Sequence, residues 1–224
     1  VNEHLQASHL VAGYEEAVVL IVDDDASIRN ALTNLFQSAG LKVRDYASAA
    51  ELLESEPPEG PSCLVLDIRL PGLSGLELQS GLASANMHTP IVFITGHADV
   101  PMTVQAMKGG AVDFLTKPFR DRDLLHAVQI AIERDRKKRE LEKMQAGVRS
   151  RFESLTTRER DILTLVASGL LNKQVAGELG LAEITVKVYR GQAMRKVGAK
   201  SLADLIRMVE LSGLSRSGQT CIPK

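Results

Sequence analysis

The sequence predicts an α/β domain with a doubly wound, five-stranded parallel sheet, joined by a helical linker to a second, smaller all-α domain. Three observations point there. Short β-branched runs alternate with amphipathic stretches through the first part of the chain, the pattern of a parallel sheet covered on both faces. From about residue 150 the patterning is helical, with no strand. Charge divides in the same region: residues 1–132 hold 8 Lys+Arg against 17 Asp+Glu, whereas residues 133–224 hold 19 against 11. An acidic half joined to a basic half suggests a cation-binding or regulatory module attached to one that binds a polyanion.

The elements follow in order. Residues 1–16 form a polar lead, and 17–132 the α/β domain. The apolar run 18–22 reads as a buried strand and 27–39 as a helix closed by Gly40. Residues 41–44 make a second strand and 48–55 a short helix. Residues 56–61, with three prolines and a glycine, can only be a loop. Strand 63–66 precedes a helix near 75–83, strand 91–94 a helix near 100–109, and strand 111–115 a helix from 120 onward. That helix continues into a stretch charged on every side, so 133–149 reads as a solvated helical linker. Residues 150–212 hold four short helices, the first opened by the capping-box pattern Thr156-Thr157-Arg158-Glu159 and closed by Gly169. The tail, 213–224, has no pattern and reads as disordered.

Composition excludes several classes. Two cysteines, Cys63 and Cys221, do not make a disulfide framework, and no Cys/His cluster has zinc-ligand spacing. The apolar runs fall far short of the roughly 20 residues that cross a bilayer. The N-terminal residues lack a basic n-region and a long apolar core, so no signal peptide is read and a cytoplasmic protein is expected.

The chemistry gathers at the strand ends. Asp23 and Asp24 end the first strand, Asp67 the third, Thr95 the fourth, and Lys117, before Pro118, the fifth. In the common strand order 2-1-3-4-5 the first and third strands are central neighbours, so these groups meet in one crevice at the carboxyl ends. Three close carboxylates repel unless a cation joins them, and a hard divalent ion with oxygen ligands, Mg²⁺, is the natural one. A carboxylate beside Mg²⁺, an ammonium and a hydroxyl is equipped to accept a phosphoryl group. Singly, an Asp after a strand is more often a helix cap and a Lys more often a solvated surface group. Together, in order, at successive strand ends, they point to one site.

These residues make the chain resemble the receiver domain of bacterial two-component response regulators over about residues 17–132. The resemblance rests on Leu20-Ile21-Val22-Asp23-Asp24-Asp25, Leu66-Asp67-Ile68-Arg69-Leu70-Pro71-Gly72, Ile94-Thr95-Gly96-His97 and Phe114-Leu115-Thr116-Lys117-Pro118-Phe119, and the run 95–119 is especially similar to the FixJ-like branch. It implies Asp67 as phospho-acceptor, with Asp23, Asp24, Asp67 and the backbone carbonyl of Arg69 holding Mg²⁺. It also implies Thr95 and Lys117 as phosphate-sensing groups and Phe114 as an aromatic switch. Arg69 and Gly96 depart from the commonest pattern, which should alter phosphorylation and dephosphorylation rates.

Residues 155–212 resemble a LuxR/NarL/FixJ-type helix-turn-helix through Leu155-Thr156-Thr157-Arg158-Glu159-Arg160, Asn172-Lys173-Gln174-Val175-Ala176 and Thr185-Val186-Lys187-Val188-Tyr189-Arg190. The third helix is then the recognition helix. Val186, Tyr189, Ala193 and Val197 form its inward face; Lys187, Val188, Gly191 and Arg195 form the opposite stripe. Lys187 is expected to touch a base edge and Val188 a thymine methyl, while Lys173, Thr185, Arg190 and Arg195 hold phosphates. Leu171 and Ala182 stand where these domains usually place a Ser or Thr cap, and Gly177 reads as a small residue at a tight helix crossing. The fourth helix, 201–211, is expected to turn Leu202, Leu205, Ile206 and Val209 inward and, as often in this family, to supply a dimer contact.

The implied partners are a sensor histidine kinase, double-stranded DNA and a second copy of the chain, recruited on phosphorylation through residues near 100–115; RNA polymerase is a further partner the resemblance allows. Two rivals stand beside this reading. An aspartyl-phosphate hydrolase would use Asp67 as nucleophile, but such enzymes usually carry an acid two residues later, where this chain has Arg69; no catalytic residue is therefore assigned, and at most self-dephosphorylation is expected. The other is a DNA-binding regulator that ignores phosphate and uses the first domain as a dimer interface, which the intact Asp/Asp/Asp/Thr/Lys set argues against.

Overall fold

The structure, a computed structural model, describes residues 16–84, 87–97 and 99–212. The expected tail, with Cys221, and all but the last residue of the expected polar lead lie outside the described residues. Five strands, β1 (Val18–Val22), β2 (Lys42–Tyr46), β3 (Ser62–Asp67), β4 (Ile91–Thr95) and β5 (Asp113–Thr116), form one parallel sheet in the order β2-β1-β3-β4-β5. Around it run α1 (Ala26–Ser38), α2 (Ala49–Glu54), α3 (Gly75–Ser84), α4 (Val100–Lys108) and the start of α5 (Asp121–Glu153).

The sheet is buried on both sides, so its central strands are apolar throughout rather than alternating. One layer sets Leu20, Val22, Leu64, Leu66 and Phe93 against Leu52 of α2, Leu78 and Leu82 of α3 and Ala106 of α4. The other sets Val19, Ile21, Cys63, Val65, Val92 and Ile94 against Leu32 and Phe36 of α1 and Leu124, Val128 and Ile132 of α5. Local signals fix the helix starts: Asp25, Ser48 and Asp99 each cap a first turn with a side-chain oxygen.

The chain divides into two compact units between Arg139 and Glu140. One expectation fails just before that division. Asp135 lies in the stretch that the sequence predicts to be a solvated linker, yet it is only 4% exposed. Its carboxylate accepts from the Ser62 backbone N–H at 2.8 Å and from Arg139 Nε at 2.7 Å, and Arg139 also donates to the carbonyls of Pro58 and Glu59. Ser62 opens β3, and Asp135 gives its buried N–H the acceptor it needs.

The second unit holds the end of α5, then α6 (Thr157–Ala167), α7 (Asn172–Leu179), α8 (Glu183–Val197) and α9 (Leu202–Ser212). Its core joins Phe152, Leu155, Ile162, Leu163, Val166, Val175, Val186, Ala193, Val197 and Leu205. Gly180 and Gly198 close α7 and α8 at φ 63° and 80°, the left-handed region a glycine enters without steric cost. Two expectations are corrected here. Leu202 and Ile206 are 38% and 39% exposed; Leu205 alone of that set is fully buried, because α9 meets the core along a narrower stripe than its apolar residues span. Gly177 is exposed and a methyl group there would meet open space, so no tight crossing requires it.

Candidate functional site

At the carboxyl ends of β1, β3, β4 and β5 the sheet brings five side chains to one place. Parallel strands in this order put Asp23, Asp67, Thr95 and Lys117 at the same edge, because each is the last residue of its strand or the next one on. Lys117 Nζ donates to Asp23 Oδ2 at 2.6 Å and to Asp67 Oδ2 at 2.7 Å, joining residues far apart in sequence. Carboxylate oxygens of Asp23, Asp24 and Asp67 lie within 4.8 Å of one another. Asp23, Asp67 and Thr95 are buried, whereas Asp24 is exposed, so the cluster is rooted in the sheet and open on the Asp24 side.

The backbone around the cluster is fixed. Asp67 Oδ1 accepts the Arg69 N–H at 3.0 Å, and Asp23 Oδ1 accepts the Asp25 N–H at 2.9 Å. Arg29 Nη1 donates to the carbonyls of Asp23 and Asp24 and its Nε pairs with Asp45. Arg29 was missed in the sequence; its place one turn into α1 was the available signal. The Thr95 hydroxyl lies 3.3 Å from both the backbone N–H and the carbonyl of His97. Phe114 is half-buried, its ring centroid 6.4 Å from that of Phe93.

Electrostatics follow from this packing. Burial pushes the Asp23 carboxyl above its ordinary value, and Lys117 only partly offsets it. Burial works against the Lys117 ammonium too, but its hydrogen bonds to Asp23 and Asp67 outweigh that and hold the amine above its ordinary value. Three clustered carboxylates with one ammonium leave net negative charge, and all the donors are hard oxygens. The residues fit a divalent ion such as Mg²⁺.

In the second unit, α7 and α8 form the turn expected of a DNA-reading pair. Lys187, Val188, Gly191 and Arg195 are exposed on α8, opposite the buried Val186, Ala193 and Val197. Lys173 is exposed on α7, and Thr185 is half-buried. Arg190 is already engaged: its Nη1 donates to Asn172 Oδ1 at 2.9 Å, tying α8 to the start of α7. Arg195 Nε donates to the Gly191 carbonyl within its own helix. Ile184 was missed, although its spacing from Val188 puts it on the same stripe; it is 67% exposed.

Comparison with known proteins bears on both units. Residues 19–129 match the response regulator receiver domain, and residues 153–209 match the bacterial regulatory proteins of the luxR family. Nodulation protein W of Bradyrhizobium diazoefficiens is 60% identical over 210 residues, which cover 94% of this chain and 92% of that protein. The transcriptional regulatory protein FixJ of Azorhizobium caulinodans is 41% identical, over 90% of this chain and 95% of its own. Among solved structures, the response regulator StyR is similar with a TM-score of 0.79 at 48% identity, covering 87% of this chain and 98% of that one.

Proposed function

The chain belongs to the response regulators that join a receiver domain to a LuxR-type DNA-binding domain, and from that premise we propose that Asp67 takes a phosphoryl group from a sensor histidine kinase. The observation that carries this is the Lys117 ammonium held against Asp67 and Asp23, beside Asp24. Asp23, Asp24, Asp67 and the Arg69 carbonyl would hold Mg²⁺. When bound, the ion neutralises charge on the phosphoryl oxygens.

The chain's own groups do the rest. An Asp67 carboxylate oxygen forms the new P–O bond as the bond from phosphorus to the donor breaks, its electron pair leaving with the donor. Lys117 stands beside that oxygen to pair with the charge that arrives. The Thr95 hydroxyl exchanges its His97 contacts for a phosphoryl oxygen. Its inward move frees space for Phe114 to bury against Phe93, biasing a two-state surface. That surface is α4 and β5, where Val100, Val104 and Met107 are exposed and suited to meet a second copy. Leu202 and Ile206, exposed on α9, suit a contact between DNA-binding domains. The paired domains then read two half-sites on double-stranded DNA, and RNA polymerase is the partner through which bound protein would act on transcription. Turnover of the phosphoryl group is limited to self-dephosphorylation, and the protein works in the cytoplasm.

The test is labelling of the full chain by a small acyl-phosphate donor. Label should require Mg²⁺, vanish in Asp67→Asn, and show weaker metal dependence in Asp24→Asn. Undiminished label in Asp67→Asn would overturn the assignment.

A further inference from the structure

We propose that Ile184 and Val188 form an apolar reading stripe that recognises thymine through its 5-methyl group; this rests on the DNA-binding role of α8 and names what that helix selects. Positions 184, 188, 191 and 195 follow at spacings of four, three and four, so they lie on one face of α8. The buried Val186, Ala193 and Val197 occupy the opposite face. Ile184 is 67% and Val188 52% exposed, which places two β-branched side chains one turn apart in water. They border a shallow dent of about 300 Å³ completed by Thr185, Tyr189 and Gln192.

The surroundings say what covers this pair. Lys187 and, further along, Arg195 are exposed on the same side of α8, Lys173 is exposed on the preceding helix, and one exposed carboxylate, Glu183, stands just before Ile184. An apolar partner protein would have to bury those cations without compensation. A DNA major groove supplies phosphates for the cations and, between them, a single kind of apolar group, the thymine methyl. Gly191, next on the stripe, presents no side chain, and a methyl there would meet open space. Ile184 and Val188 carry no hydrogen-bonding group, so what these two side chains can discriminate is the presence or absence of a methyl, while Lys187 beside them is left to a base edge. The N-terminal part of a recognition helix is also the part that meets base edges, which is where Ile184 and Val188 sit.

The experiment uses the full chain, phosphorylated with a small acyl phosphate, to select binding sites from random DNA. Affinity is then measured for the selected site and for copies in which each thymine in turn is replaced by uracil, which removes only the methyl. At one or two thymines per half-site the replacement should weaken binding about fourfold, the equivalent of one lost buried methyl. In Ile184→Ala or Val188→Ala that penalty should disappear at the matching thymine, while binding to the uracil copy stays near wild type. Val188→Thr, which keeps the branched shape, should retain part of the penalty. All of these side chains are exposed, and an unchanged melting curve would confirm intact folding. Sites indifferent to uracil at every position, or penalties that persist in both alanine variants, would overturn the stripe and leave DNA binding standing. Enrichment of no DNA sequence at all would overturn the reading on which it rests, and the stripe with it.

Discussion

Glu159 accepts from the Thr156 N–H at 2.9 Å, the Thr156 hydroxyl at 3.0 Å and Lys196 Nζ at 2.7 Å, joining the start of α6 to the last turn of α8. Lys196 and then the Thr156 amide hold its pKa below the ordinary glutamate value. A carboxyl depressed in the folded state contributes stability above its unfolded value and loses it as pH falls through the lower, folded one. The DNA-binding domain should therefore lose stability in acid below the ordinary carboxylate range. Glu159→Gln should lower its melting point at neutral pH and flatten that acid dependence, measured by thermal melts of the full chain across pH. Thr156→Ala should cost about 0.5–2 kcal/mol through the lost cap and leave the acid dependence in place. Asp23, Asp67, Thr95 and Lys117 are legible in the sequence because the ends of parallel strands must share an edge. Asp135 is not, since its burial depends on an unpaired N–H at the start of another element; nor is the Arg190–Asn172 contact, which depends on a rotamer.

Elements were legible in number and type, while their edges moved with their neighbours. β2 extends to Tyr46 because β1 offers a ladder partner as far as Val22. β5 begins at Asp113 because its pairing with β4 begins at Val92. Helix α5 runs unbroken to Glu153, past Gly147, because one interior glycine costs a helix only about 1 kcal/mol and no proline stands near the expected end of the linker. The departures at helix starts have energetic consequences. No side chain caps α8 at Ala182, and at Leu171 only the Gln174 side chain answers, accepting the Leu171 N–H at 2.8 Å. Gly191 adds the entropy cost of a glycine inside a helix without any packing need for it. Ala182→Ser should stabilise the domain by about 0.5–2 kcal/mol and Gly191→Ala by about 0.5–1 kcal/mol. Hydrogen exchange of α7 and α8 amides in the full chain would show both as slower opening. Ala182→Ser should leave operator affinity intact, whereas a sharp loss in Gly191→Ala would mean that the backbone at 191 comes close to DNA. Faster exchange in both would refute this account of the caps.

Over the whole molecule, the charge asymmetry matters most. The receiver half is acidic, which suits the proposed metal-dependent phospho-acceptor, and the DNA-binding half supplies the cations. Binding to DNA releases counterions, so the logarithm of affinity should fall linearly with that of salt, with a slope of about −0.9 for each phosphate neutralised. If Lys173, Arg190 and Arg195 each neutralise one phosphate, a single copy on one half-site should show a slope of about −2.7, and a dimer on paired half-sites about −5.4. Arg190 must first give up Asn172, whose amide oxygen is a weaker partner than a phosphate. Arg190→Ala should therefore reduce the slope by about 0.9 per copy while weakening operator and random DNA alike. Lys187→Ala should act differently, lowering discrimination between them. Sedimentation supplies the independent measure: unphosphorylated protein should run as a monomer, and protein treated with a phosphoryl analogue as a dimer. Phosphorylation should then raise affinity for paired half-sites through effective concentration, with little change on a single half-site. A phosphorylated protein that sediments as a dimer yet keeps the single-copy slope would be holding only one half-site, and the paired reading of DNA would fall. A protein that stays monomeric while its affinity rises would instead place control in release of the DNA-binding domain.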